Sequence, residues 1–163
     1  MRRRFVLMLL LAAASLVHAQ SIYTDPEKSY KVQVPPGWRI ETQPGGVSLL
    51  KGPAYASVLK VSGRGAPKAM VEALGQKFVS QWRRFDGASS GDSQFGGKPG
   101  AYAWFTGANP RGVDAVLKIV GTVDGEFGYA MMISAPRSDF ANFKADFEKI
   151  ESGFELTGSG SRR

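Results

Sequence analysis

The 163-residue chain contains no cysteine and a single histidine. That histidine, His18, falls in a stretch read below as a cleaved leader, so the mature chain is expected to carry neither imidazole nor thiol. This excludes Ser-His-Asp and Cys-His nucleophilic sites, zinc held by histidine and cysteine, histidine-ligated haem and redox disulfides. An exported chain without cysteine must hold itself together by its core alone. Calcium loops of the D-x-[DN]-x-[DN]-G type are missing too. No cofactor and no metal are expected.

The N-terminus reads as an export signal. Arg2, Arg3 and Arg4 precede an apolar run from Phe5 to Val17, and Val17-His18-Ala19 supplies the small residues that place a cut before Gln20. The run falls short of the about 20 apolar residues that a permanent span requires. No cysteine follows it, which excludes a lipid anchor, so the expected location is the periplasm or beyond. Removal of residues 1–19 from the 163 leaves 144, enough for one domain with a real core. That domain is expected over residues 20–156, followed by a flexible Gly/Ser tail over 157–163. The formal charge of +7 drops to +4 once Arg2, Arg3 and Arg4 leave, with 18 basic against 14 acidic residues. Discounting Arg162 and Arg163 in the tail brings the folded part to about +2, too weak for a nucleic-acid footprint.

Hydrophobic periodicity predicts strands, a helix, more strands and a second helix. Tyr30, Val32 and Val34 alternate with Lys31 and Gln33, the period-2 signature of a half-buried strand. Extended segments are predicted at Trp38–Thr42, Val47–Lys51 and Tyr55–Ser62, separated by Pro/Gly turns. Pro67 suits a helix's first position, and Met70, Val71, Leu74, Phe78, Val79, Trp82 and Phe85 continue at helical spacing. Gly75 weakens that helix by about 1 kcal/mol against alanine and is expected to allow close approach to a sheet. Gly87–Gly97 reads as a weak strand and a turn, and Ala101–Thr106 as a strand. Val113–Val123 and Phe127–Ser134 form a hairpin through Asp124-Gly125, with Val113, Ala115, Leu117 and Ile119 on one face. Ser138 is the expected cap of a last helix with Phe140, Phe143, Phe147 and Ile150 inward. The order predicts an α+β fold, an antiparallel sheet with helices packed on it.

Several segments together resemble the PsbP-like superfamily. They are Tyr23 ahead of a strand ending in Pro35-Pro36-Gly37-Trp38, the turn Gly96-Gly97-Lys98-Pro99-Gly100, and the close Ile150-Glu151-Ser152-Gly153-Phe154, where Gly153 is an extra residue. The superfamily includes the photosystem II oxygen-evolving accessory protein, a Ran-binding nuclear transport factor and many exported bacterial proteins. The resemblance implies an α/β/α sandwich around an antiparallel sheet, and action by binding a larger assembly. Metal binding in the superfamily uses residues such as histidine, so that role does not carry over to this chain.

Local motifs are weighed against plainer readings. Ser57 and Lys60 match S-x-x-K, but on a strand residues three apart face opposite ways. Gly91–Lys98 fails the phosphate-loop pattern in either register and reads as a glycine turn. Asp124, Glu126 and Asp114 are the carboxylates to consider for a hydrolase, yet hairpin tips suit solvated charge. Lys68, Lys77, Arg83 and Arg84 form a basic strip that a helix needs as its wet face. Tyr102 and Trp104 alternate on one strand and are either core or an aromatic slot for a partner. Trp38 is expected in the core. Asn109-Pro110-Arg111-Gly112 is a polar loop projecting from a hairpin, where binding residues often sit.

The sequence therefore points to an exported, non-enzymatic accessory or binding protein docking to a larger envelope protein through a sheet edge or loop. Its candidate partner-binding residues are Asn109, Arg111, Tyr102 and Trp104. A carrier of an apolar small molecule is the second reading, and a carboxylate-based hydrolase of envelope glycans the third.

Overall fold

The structure, a computed structural model, describes residues 21–63 and 65–158. The leader, its cut before Gln20 and most of the tail lie outside the described residues. Four strands open the fold: β1 (Ser21–Thr24), β2 (Tyr30–Val34), β3 (Arg39–Gln43) and β4 (Gly46–Lys51). They are followed by β5 (Ala54–Ser62), α1 (Pro67–Val79), β6 (Arg84–Phe95) and β7 (Lys98–Ala108). The chain closes with β8 (Asp114–Asp124), β9 (Phe127–Pro136), α2 (Phe140–Ser152) and β10 (Glu155–Leu156).

Seven strands pair in the order β3-β4-β5-β9-β8-β7-β6, every neighbour antiparallel. Side-chain alternation then assigns two faces. Ala101, Ala103, Phe105, Leu117, Ile119, Ala130 and Met132 turn to one side and pack with Val71 and Val79 of α1. Val58, Val120, Tyr129, Met131 and Ile133 turn to the other, where they meet Phe147 and Ile150 of α2. That second layer also holds a three-stranded sheet, β1-β2-β10, whose Tyr30, Val32 and Val34 join the same core. The result is the expected α/β/α sandwich, with β1 and β10 added to β2 as short pairing strands.

Trp38 is buried as expected. Its indole N–H donates to Asp146 Oδ2 at 2.8 Å, and Lys51 Nζ donates to the same oxygen at 2.8 Å. Burial pushes the Asp146 carboxyl up, but the hydrogen bonds from Lys51 and Trp38 and the Lys51 charge prevail and hold it below the usual aspartate range. This pair of contacts ties α2 to the β2–β3 connection and to the end of β4.

Several local expectations are corrected or extended. α1 ends at Val79 instead of running to Phe85. The Ser80 hydroxyl donates to Lys77 O at 2.8 Å, and the Gln81 and Trp82 N–H groups turn back to Phe78 O and Val79 O. Arg83 N–H then pairs with Ala108 O, so Phe85 begins strand pairing and is 50% exposed. Gly87–Gly97 is the expected strand and turn, but the strand is longer: it starts at Arg84, runs 12 residues to Phe95 and is held along its length by β7. Ser138 does not cap α2; Asp139 occupies the N-cap position, without a side-chain hydrogen bond. Val113 is 41% exposed and precedes β8, so only Ala115, Leu117 and Ile119 of the expected face are inward. Thr157, read as the start of the tail, donates its N–H to Ser29 O at 3.1 Å and its hydroxyl to Lys28 O at 2.6 Å.

Candidate docking groove

The loop between β7 and β8 is closed by its own polar groups. Asn109 N–H donates to Val113 O at 2.9 Å, and Gly112 N–H donates to Asn109 O at 2.8 Å. The Asn109 side-chain oxygen accepts from Arg111 N–H at 2.9 Å and from Val113 N–H at 3.1 Å. Gly112 takes φ of +81°, a left-handed conformation that suits glycine. Asn109 therefore builds the loop from inside, and Arg111 is carried at its exposed tip.

Beside this loop, beyond the last turn of α1, lies an open groove of about 370 Å³. Tyr55, Ala115 and Ser134 come from the α1-side of the sheet, and Phe78, Gln81 and Trp82 from the end of α1 and its turn. Pro53, Pro136, Pro110, Arg111 and Val113 complete the rim. Trp82 lies against β7 at Gly107, where an added Cβ would stand 2.8 Å from Cε3. Burial pushes the Tyr55 phenol's pKa up, against the opposite pull of a hydrogen bond with Ser134. Among the described residues, no carboxylate lines the groove.

Tyr102 and Trp104 do not join it. They point to the other face of β7, half-buried. Trp104 meets Phe140 edge-on at 5.7 Å and Lys118 Nζ at 5.4 Å, while Tyr102 packs over Gly91. The four residues singled out by sequence thus divide between two faces. Sequence reading missed Tyr55, Phe78 and Trp82 as groove residues because each continues a core-like spacing.

The remaining motifs resolve into ordinary chemistry. Ser57 bonds Ser48 across β4 and β5 at 2.8 Å, while Lys60, on the opposite face, pairs with Glu27. Asp124 is held by Lys98 at 2.9 Å, and Lys118 by Glu151 at 2.6 Å. The supposed basic strip is broken up, because Arg84 lies on β6 and binds both Asp86 and Asp114. Hydrogen bonds from Arg84, outweighing burial, keep the Asp86 carboxyl below its usual range. Among the described residues no group of three or more metal-ligating side chains converges, and no helix is long and apolar enough to cross a membrane.

No family model and no curated protein sequence matches the chain. Solved structures do. Cyanobacterial PsbP (CyanoP) from Synechocystis sp. PCC 6803 superposes with a TM-score of 0.58 at 16% identity, over 88% of this chain and 95% of that one. The fold is the PsbP/Mog1 fold. The Ran-binding protein Mog1p of Saccharomyces cerevisiae matches with a TM-score of 0.62 at 9% identity, over 87% of this chain and 97% of its own. LpqN of Mycobacterium tuberculosis, involved in cell envelope biogenesis, gives 0.56 at 11% identity, over 86% and 91%. The PsbP/Mog1 architecture thus covers nearly the whole chain at identities that carry the fold alone.

Proposed function

We propose that this PsbP/Mog1-like protein is an exported, non-enzymatic accessory protein of the cell envelope that docks onto a larger protein through the groove beside residues 109–113. The observation that carries this reading is the groove itself: open, lined by Tyr55, Phe78 and Trp82, and bordered by a loop that Asn109 holds rigid. A preformed aromatic floor next to an exposed loop is the kind of surface a partner covers. The Ran-binding activity named for Mog1p supports a protein partner, and the envelope role named for LpqN supports an envelope setting.

The carrier reading calls for an enclosed apolar cavity. Two other hollows, of about 380 and 450 Å³, are instead bordered by the ion pairs Lys60–Glu27 and Lys118–Glu151. The hydrolase reading calls for two facing acids, and Asp114 and Asp124 are each engaged by a basic side chain.

A photo-crosslinking amino acid placed at Arg111 tests the proposal in living cells, with Ile40 on the far edge strand as the control position. The expected result is one stoichiometric protein adduct at 111 and none at 40. Equal labelling at both positions, or a bare monomer carrying a constant small added mass in native mass spectrometry, overturns it.

A further inference from the structure

We infer that the groove receives an acidic segment of its partner, with one apolar side chain against Tyr55, Phe78 and Trp82 and flanking carboxylates on Arg83 and Arg111. The inference rests on the docking reading above and narrows it to one chemistry.

The argument starts from the basic side chains around the loop. Arg84 is bound to Asp86 and Asp114, and Arg137 to Asp86. Arg83 and Arg111, both exposed, form no ion pair and no side-chain hydrogen bond among the described residues. They flank the same loop. Arg111 lines the groove, whereas Arg83 lies across Gly112, where an added Cβ would stand 3.4 Å from its Nη1. One unpaired guanidinium on the rim of a groove without carboxylates, and a second at Gly112 of the adjoining loop, put positive charge beside an apolar seat. Guanidinium forks match carboxylates in a bidentate geometry that neutral groups cannot reproduce.

The hollow of about 370 Å³ is open and has room for one large apolar side chain, with the adjoining backbone lying across its mouth. The rigid loop means that little ordering cost falls on this protein when the segment arrives.

The test is an NMR titration of isotope-labelled protein with the peptide acetyl-Glu-Glu-Phe-Glu-Glu-amide, alongside its lysine and glutamine counterparts. Shifts are expected at the Trp82 indole N–H and along residues 107–115, with the acidic peptide binding at least about tenfold tighter than the lysine one. Arg83→Gln and Arg111→Gln should each weaken binding about fivefold, the upper range for exposed charge pairs, and Arg111→Lys should weaken it less. Val113→Glu, at an already exposed position, should abolish acidic-peptide binding while the remaining spectrum stays native. No shift at millimolar peptide, shifts centred elsewhere, or equal binding of acidic and lysine peptides overturns the inference. A partner crosslinked at 111 through a basic or neutral segment overturns it too, yet leaves the docking reading standing; no adduct at 111 removes both.

Discussion

Gly75 of α1 sits so close to the sheet that an added Cβ would lie 2.0 Å from Phe105 Cζ. On the opposite face, Phe147 of α2 fills the space with its own ring, 5.3 Å from Phe140, 5.8 Å from Trp38 and 6.0 Å from Phe143. The α1 interface is close because side chains are missing: Gly75 and Val71 meet Ala101, Ala103 and Ala130. The α2 interface is thick, because an aromatic cluster lies between helix and main sheet, with the second small sheet beside the helix in the same layer. One sheet therefore has a face intolerant of added volume and a face intolerant of removed volume.

The contrast is broken most severely from the thick side. Phe147→Ala should cost about 3–5 kcal/mol, measurable as a lower urea midpoint with little change in slope. Gly75→Ala is the mirror experiment. Helix propensity alone would stabilise it by about 1 kcal/mol, whereas overpacking against Phe105 should destabilise by about 1–3 kcal/mol. Net loss of stability confirms the close face, and net gain refutes it. Combining it with Phe105→Leu sharpens the point, since the double variant should be about 1 kcal/mol more stable than the two single effects predict.

Smaller effects separate the polar contacts of the thick face. Asp146→Asn should cost about 1 kcal/mol at neutral pH, by weakening the contacts with Lys51 and Trp38. The carboxyl's pKa is lower folded than unfolded, so its contribution is complete above about pH 4, the unfolded aspartate range, and is lost as pH falls through the lowered folded value. Acid titration followed by Trp fluorescence should thus bring wild type and variant together at low pH; a gap that widens there would sink the assignment. Last comes Tyr30→Phe. The Tyr30 hydroxyl is buried without a hydrogen-bond partner among the described residues, so its removal should be neutral or raise stability by up to about 1 kcal/mol. A clear loss of thermal stability would mean that the hydroxyl has a partner.

Legibility in the sequence followed burial. β2 alternates cleanly because one of its faces is in the core, and the Phe140–Ile150 stripe marks α2 because that helix buries one side. β6 was legible only as a weak strand. Gly87–Gln94 has neither alternation nor strand propensity, and it is extended because β7 supplies partners from Ala88↔Phe105 to Phe95↔Lys98. Phe85 kept the helical period by spacing alone, but the backbone had already turned at Arg83 to pair with Ala108. At the groove, Asn109 and Arg111 were readable as a projecting loop. Its floor was not, because Tyr55 lies far from Phe78 and Trp82 in sequence and only the packing of α1 across the sheet brings them together.

The pairing of β5 with β9 joins Tyr55 to Ser134 and Ser62 to Phe127 at the middle of the main sheet. A chain emerging N-terminus first from the ribosome delivers β3, β4 and β5 long before their neighbour exists. Until residue 136 is free, β5 presents an open row of amides and carbonyls and the sheet has no centre. Pairing over such a separation is slow, and the exposed strand is vulnerable while it waits. The topology itself therefore postpones the native state until nearly all of the polypeptide has been delivered.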